Sequence, residues 1–254
     1  TNCEYETARA FERAIAVANT FIIRNQSAAD IEESAIELIK AIEQCQIIAF
    51  PGGFSGGDEP DGSGKFIATT FRNPAIAEAV MKMLYERDGL ALGICNGFQA
   101  LIKLGLVPFG DIREQTADAP TLTFNNISRH VSTITRIRVA TNKSPWLYGV
   151  HVDDVFNVPV SHGEGKFVAS AEQLQKLIDN GQVATQYVDL QNNATMVSPF
   201  NPNGSMMGIE GIISPDGRVL GKMGHSERRD ENLYKNVPGN YDMKIFESGV
   251  NYFS

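Results

Sequence analysis

An α/β fold with an open, mostly parallel sheet flanked by helices is what the sequence predicts, on three observations. Over roughly the first hundred residues, short apolar runs alternate with amphipathic helical segments, the pattern of strands joined by crossover helices. Those runs are unbroken rather than alternating, as strands covered on both faces are. From Pro120 onward the texture changes to repeated extended segments with turn signals between them, which adds antiparallel strands to the C-terminal half. With 254 residues, 43% hydrophobic and 20% charged, the chain can bury a core of that size. No composition break divides it, so residues 1–254 are read as a single domain.

Thr1 or Asn2 can cap a first helix that carries Tyr5, Ala8, Phe11 and Ile15 on one face. Residues 20–24, rich in β-branched and aromatic side chains, read as a strand. A helix follows over about 30–43, with Ile31, Ala35, Leu38, Ile39 and Ile42 at helical spacing. Ile47–Phe50 is a short buried strand that stops at Pro51-Gly52-Gly53, and a glycine-rich loop runs on to about Gly64. Asn73-Pro74 supplies the cap and first position of a helix whose stripe is Ile76, Ala79, Val80, Met83 and Leu84. Residues 89–92 form the next strand, and 98–104 a helix ended by Gly105.

Farther on, 121–124, 131–139, 155–160 and 183–189 read as extended. The helix among them opens on the capping box Ser170-x-x-Gln173, carries Leu174, Leu177 and Ile178, and closes at Gly181. Residues 209–213 and 218–223 flank Asp216-Gly217, a hairpin signal. The polar last thirty residues are expected to wrap the surface.

The formal charge of −8 argues against a nucleic-acid partner, while leaving room for a local basic pocket. No apolar stretch has the length of a transmembrane helix, so no membrane partner is expected. Cys3, Cys45 and Cys95 show neither CxxC nor zinc-ligand spacing, so no metal site is expected. An odd cysteine count without a signal peptide suits a reducing cytoplasm. The chain begins at Thr1 and enters a helical pattern almost at once, so it is expected to be a piece of something longer.

The sharpest segment is Gly93-Ile94-Cys95-Asn96-Gly97, set between a strand and a helix. It has the form of a nucleophile elbow with cysteine in place of serine. The turn is so tight that its central residue is strained, and small neighbours let the backbone pass. The thiol then lies at a helix N-terminus, which favours the thiolate. Cys3 and Cys45, without that context, are read as packing thiols.

A cysteine nucleophile needs a base, and an imidazole needs an orienting partner. Of the four histidines, His225 has Glu227 two residues on, close enough in an extended segment to reach its ring, although the same pair also fits a surface ion pair. His162-Gly163-Glu164-Gly165 is a rival pair whose glycines suggest a tight loop lining a site; His130 and His151 are left as ordinary strand histidines. The oxyanion formed by thiolate attack needs backbone N–H donors, one from Asn96 after the nucleophile and another from Gly52-Gly53-Phe54. A phosphate-loop reading of Gly62-Ser63-Gly64-Lys65 fails, because Phe66 stands where Ser or Thr is required and Glu59 where glycine should start the motif.

Phe50-Pro-Gly-Gly-Phe-Ser55 and Gly93-Ile-Cys-Asn-Gly-Phe-Gln99 together resemble the triad-type (class I) glutamine amidotransferases, which have a flavodoxin-like sheet. His162-Gly-Glu-Gly165, Gly217-Arg-Val-Leu220 and His225-x-Glu227-Arg228 narrow the resemblance to the glutaminase domains of phosphoribosylformylglycinamidine synthases. The likeness runs from about Asn2 to Phe253. It implies Cys95 as nucleophile, His225 as general base and acid, and Glu227 as its orienting carboxylate. Gly53, Phe54 and Asn96 would line the oxyanion and glutamine pocket, Gln99 would sit behind the elbow, and His162 and Glu164 would border the site.

The implied reaction is hydrolysis of L-glutamine to glutamate and ammonia through a cysteine thioester. The implied partner is a synthetase domain or subunit that converts formylglycinamide ribonucleotide to its amidine. Cofactors are implied only there, as ATP and Mg, and none in this domain. The chain departs from the family in having Ser226 where proline stands between His and Glu. The family also begins with a strand ahead of the first helix, so that strand is expected to be missing here. A redox-sensing or non-catalytic cysteine module, or a glutaminase serving a different synthetase, are the alternatives.

Overall fold

The computed structural model describes residues 1–54 and 62–254. Among them the elements run α1 (Glu4–Arg13), α2 (Ala28–Gln44), β1 (Ile47–Phe50), α3 (Lys65–Phe71), α4 (Pro74–Tyr85), β2 (Leu90–Ile94), α5 (Asn96–Leu104) and the single turn α6 (Leu106–Phe109). The C-terminal half continues with β3 (Thr121–Thr123), β4 (Val131–Val139), β5 (Val155–His162), β6 (Lys166–Val168), α7 (Ala171–Asp179), β7 (Val183–Tyr187), β8 (Ile209–Ile213), β9 (Val219–Lys222) and α8 (Ile245–Asn251). No helix among the described residues is long and apolar enough to cross a membrane.

One seven-stranded sheet has the order β1-β2-β9-β8-β7-β4-β5, and β3 pairs with β6 in a separate ribbon. β1, β2 and β9 are mutually parallel. β8 returns from β7 and meets β9 in a hairpin, so the sheet from there to β5 is antiparallel. The α/β class and the antiparallel addition are thus as predicted, with the parallel pairing gathered in the three strands that matter for the site. Their shared direction brings three carboxyl ends to one edge, where Phe50, Gly93 and Gly221 lie side by side.

Local signals explain most of the helices. Asn73 caps α4 by accepting from the amides of Ala75 and Ile76, and all five stripe residues of that helix are buried. Ser170 accepts from the Gln173 amide at the start of α7, of which only Leu177 is fully buried. Gly105, with φ +90°, ends α5. α2 begins at Ala28, slightly ahead of the expected start near Asp30, because the Ser27 hydroxyl caps it by accepting from the Asp30 amide.

Three expectations fail. Residues 20–24 form no strand: no neighbouring segment pairs with them, and Ile22 is 75% exposed, so β propensity alone does not order them. In the first helix Cys3, not Thr1 or Asn2, takes the cap position, and α1 ends at Arg13. Ile15 lies beyond it with φ +67° and is 93% exposed, and Tyr5 is exposed too, which leaves Thr7, Ala10 and Phe11 as the buried face. The C-terminal segment also contributes to the core instead of merely wrapping it. Phe246 of α8 meets Phe11 edge-on at 5.0 Å, and Phe11 in turn meets Trp146 at 6.3 Å.

The closest helix–strand approach is at α5. A methyl group on Gly97 would overlap the Phe50 carbonyl, with its carbon at 2.6 Å, and one on Gly93 would lie 2.8 Å from the Gly97 carbonyl carbon. Both obstacles are main chain, so relief requires moving a helix or a strand. Gly97→Ala is therefore expected to lower stability by about 2–3 kcal/mol in denaturant unfolding, whereas Gly163→Ala, which meets nothing within 4 Å, should leave the midpoint unchanged.

Candidate active site

The strand–turn–helix around Cys95 has the geometry its glycines imply. Cys95 sits at φ +53°, ψ −107°, between the last residue of β2 and the first of α5. Two main-chain hydrogen bonds hold it there: its N–H donates to Lys222 O at 2.8 Å, and its carbonyl accepts from Gln99 N at 3.0 Å. The thiol points toward β5, 3.7 Å from Ser161 O.

His225 follows β9, and its amide donates to Pro159 O at 2.9 Å. Its Nδ1–H donates to Glu227 Oε1 at 2.6 Å, and both side chains are buried. The contact differs from the extended i, i+2 arrangement expected. Residues 224–228 make turns, with Ser226 N on Gly224 O and Arg228 N on His225 O, and the fold-back brings the carboxylate under the ring. Burial pulls the imidazole pKa down. Hydrogen bonds with Cys3, Cys95 and Glu227, and the charge of Glu227, outweigh that and raise it to about 11.

Among the described residues of the glycine loop, Gly52 touches this pair. A Cβ there would lie 2.7 Å from His225 Cε1 and 3.2 Å from Cys95 Cβ. Gly53, with φ +95°, turns the chain away toward Asn2. The Phe54 amide donates to Asn2 Oδ1 at 2.9 Å, and the Phe54 ring is 72% exposed, 6.5 Å from His130. Phe54, expected to line the oxyanion and glutamine pocket, thus has its N–H engaged by Asn2, and Gly52 lies beside the nucleophile. Asn96 is buried as the first residue of α5, where the helix presents its amide.

Gln99 is buried behind the elbow, and its Nε2 donates to Glu164 O. Glu164 Oε2 accepts from Ser63 N at 3.3 Å. His162 ends β5 with Nδ1 3.2 Å from Asn125 Oδ1, and its buried Nε2 has no hydrogen-bond partner among the described residues. Burial, then the charges of His225 and His130, push its pKa down to about 4. Gly165 packs on the ring, 2.5 Å from an added Cβ. Ser55 and Glu59 lie outside the described residues. Gly64 serves a close approach instead of a phosphate, since a Cβ there would lie 2.5 Å from Ala100 N.

Sequence reasoning missed Cys3. Its Sγ, a ring nitrogen of His225 and a carboxylate oxygen of Glu227 lie within 4.8 Å of one another, all three residues buried. Arg228 Nη2 donates to that sulfur at 3.0 Å. The cysteine-histidine-carboxylate set is one that a soft divalent cation accepts, yet His225 Nδ1 and Glu227 Oε1 are already engaged with each other. No motif spacing links Cys3 to His225, and from sequence it reads as a packing thiol; in the structure it takes the cap position of α1.

A family model described as "CobB/CobQ-like glutamine amidotransferase domain" matches residues 1–253. The phosphoribosylformylglycinamidine synthase subunit PurQ of Methanococcus maripaludis (strain C7) is 33% identical over 246 residues, 96% of this chain and 83% of that protein. The subunit of the same name from Chlorobaculum tepidum is 37% identical over 212 residues, 82% of this chain and 79% of that protein. Among solved structures, PurLQS from Thermotoga maritima aligns over all of this chain and 94% of its own, at 25% identity and a TM-score of 0.69. The glutaminase domain of Trypanosoma brucei CTPS, at 11% identity and a TM-score of 0.54 over 98% of this chain and 89% of its own, shares the fold.

Two titrations follow from the buried imidazoles. His162 is neutral in the folded protein down to about pH 4 but takes up its proton near 6.5 when unfolded. The unfolded chain therefore binds more protons in that window, and stability falls as pH drops from 6.5 to 4, by about 3 kcal/mol. His162→Gln should flatten that acid limb in urea unfolding at stepped pH. His225 runs the other way: its raised value contributes stability fully below 6.5 and loses it as pH climbs toward 11. In Glu227→Gln the NMR-detected midpoint of His225 should fall, and the alkaline limb should shrink with it.

Proposed function

The chain belongs to the CobB/CobQ-like glutamine amidotransferase domain family, and from that premise we propose that it hydrolyses L-glutamine and supplies the ammonia to formylglycinamidine ribonucleotide synthesis in purine biosynthesis. The observation that carries the reading is the meeting of Cys95, the His225–Glu227 pair and Gly52 at the common carboxyl edge of β1, β2 and β9.

In this reading the Cys95 proton passes to His225, and the thiolate attacks the side-chain amide carbon of glutamine. The oxyanion that forms is met by amides of the Gly52–Gly53 turn and of Asn96, all fixed by main-chain packing before substrate arrives. His225 gives the proton it took from Cys95 to the leaving nitrogen, and ammonia departs from a γ-glutamyl thioester. A water then loses a proton to His225 and attacks the thioester, which releases glutamate and regenerates the thiol. Glu227 keeps the ring oriented and balances its charge throughout.

The partner in this reading is the synthetase that consumes the ammonia, the role the name PurLQS suggests for the larger assembly. ATP and Mg are assigned to that partner. Three free thiols suit a reducing cytoplasm. A His–Glu pair aimed at the cysteine is what amide hydrolysis needs and thiol redox sensing does not.

Intact mass measured after incubation with a glutamine-mimicking diazoketone tests the proposal directly. One adduct is expected on the folded wild type, suppressed by excess glutamine and absent from Cys95→Ala. A folded wild type that takes up no label, or a Cys95→Ala protein that labels equally, would sink it.

A further inference from the structure

Residues 2 and 3 each touch a different half of the site. Asn2 reaches the glycine loop: its Oδ1 accepts from Phe54 N at 2.9 Å. Its backbone nitrogen would lie 2.8 Å from a Cβ on Gly53, so the two main chains are in direct contact. Cys3 reaches the opposite half. Its sulfur lies within 4.8 Å of donor atoms of both His225 and Glu227 and accepts from Arg228 at 3.0 Å, and the residue is wholly buried.

The dipeptide itself is anchored to α1. Cys3 O accepts from both the amide of Thr7, at 3.1 Å, and its hydroxyl, at 2.8 Å. That helix is pinned in turn by Phe11 against Phe246 and Trp146. One rigid anchor therefore holds the loop with its left and the imidazole with its right. The distance that matters lies between them: Gly52 packs against His225 and Cys95 at van der Waals contact, and its amides must meet an oxyanion growing on the carbon that Cys95 attacks. A misplacement of about 1 Å in such a geometry costs on the order of a hundredfold in rate.

We propose that Asn2 and Cys3 are positioning residues for the glutaminase reaction, a clamp that sets the separation between the Gly52–Gly53 amides and the Cys95–His225 pair. The inference rests on the glutaminase reading above and adds two residues to it, each acting through another residue of the site. Asn2 acts through the Phe54 amide by supplying an acceptor oxygen. Cys3 acts through the His225 ring, as a second sulfur contact beside that of Cys95.

The test compares wild type, Asn2→Ala, Asn2→Asp and Cys3→Ala in glutamine hydrolysis by the full chain together with its synthetase. Hydrogen exchange of the segment around 52–54 is read by mass spectrometry on the same proteins, with circular dichroism to confirm folding. Asn2→Ala should lose about ten- to a hundredfold in kcat with KM within about threefold, and the loop amides should exchange faster. Asn2→Asp keeps an acceptor oxygen at the same reach, and should recover slow exchange and most of kcat. Cys3→Ala should lower kcat at constant KM without changing loop exchange, since it acts on the other half.

The clamp is overturned if Asn2→Ala keeps kcat within twofold, if only KM rises, or if Asn2→Asp is as impaired as Asn2→Ala. Should Asn2→Ala fail to fold, Asn2→Asp against wild type carries the comparison, and faster loop exchange in the aspartate variant overturns the clamp. A wild type that hydrolyses no glutamine condemns the glutaminase reading itself. Loop exchange still judges the Asn2–Phe54 contact in that case, so the two failures are told apart.

Discussion

Cys95 carries a side chain at a backbone angle that few side-chain-bearing residues tolerate, and such a conformation costs on the order of 1–3 kcal/mol. It persists because the neighbours leave no alternative. The amide of Cys95 is tied to Lys222 O in β9, its carbonyl to Gln99 N in α5, and Gly97 is pressed against the Phe50 carbonyl at the end of β1. Three strands and one helix thus meet on one residue. The spacing of Gly93 and Gly97 follows from keeping that turn tight.

The His225 side of the site has its own support, and it is polar. Lys222 and Glu210 form an ion pair at 3.1 Å with no solvent exposure on either side chain. Lys222 Nζ donates to Gly224 O at 2.8 Å, and Glu210 Oε1 accepts from Gly224 N at 2.5 Å. Glu210 Oε2 accepts from the Thr185 hydroxyl. Burying two charges gains little net stability even when they are well paired, but leaving one alone is costly. The pair therefore fixes both polar groups of Gly224, the residue just before His225. Lys222 joins the two halves of the site: its carbonyl holds Cys95, and its ammonium holds the turn that carries His225.

The elements legible in the sequence were those whose cause is short-range. Asn73-Pro74 announces a helix because a side-chain oxygen and a fixed φ act within three residues. The hairpin at Asp216-Gly217 is legible because glycine takes φ +79° there. The segment 20–24 shows the limit. Its residues favour a strand, yet a strand exists only where another segment offers it hydrogen bonds, and nothing in five residues reports whether that partner is there. The same limit hid the bond from the Phe54 amide to Asn2, which joins residues far apart in the chain.

By itself the sequence determined the α/β class and the elbow at Cys95, and it offered His225 with Glu227 as one pair among others. Each is written in residues a few positions apart, where steric and hydrogen-bonding rules act directly along the chain. Only the tertiary structure decided that Gly52 is the loop residue facing that pair, that the carboxylate arrives through a turn, and that Cys3 stands beside the imidazole. The last of these depends on where α1 docks, and its docking is set by rings drawn from three distant segments, Phe11, Trp146 and Phe246. Such packing has no sequence period, because non-directional burial can be satisfied by any complementary surface until the whole chain has chosen one.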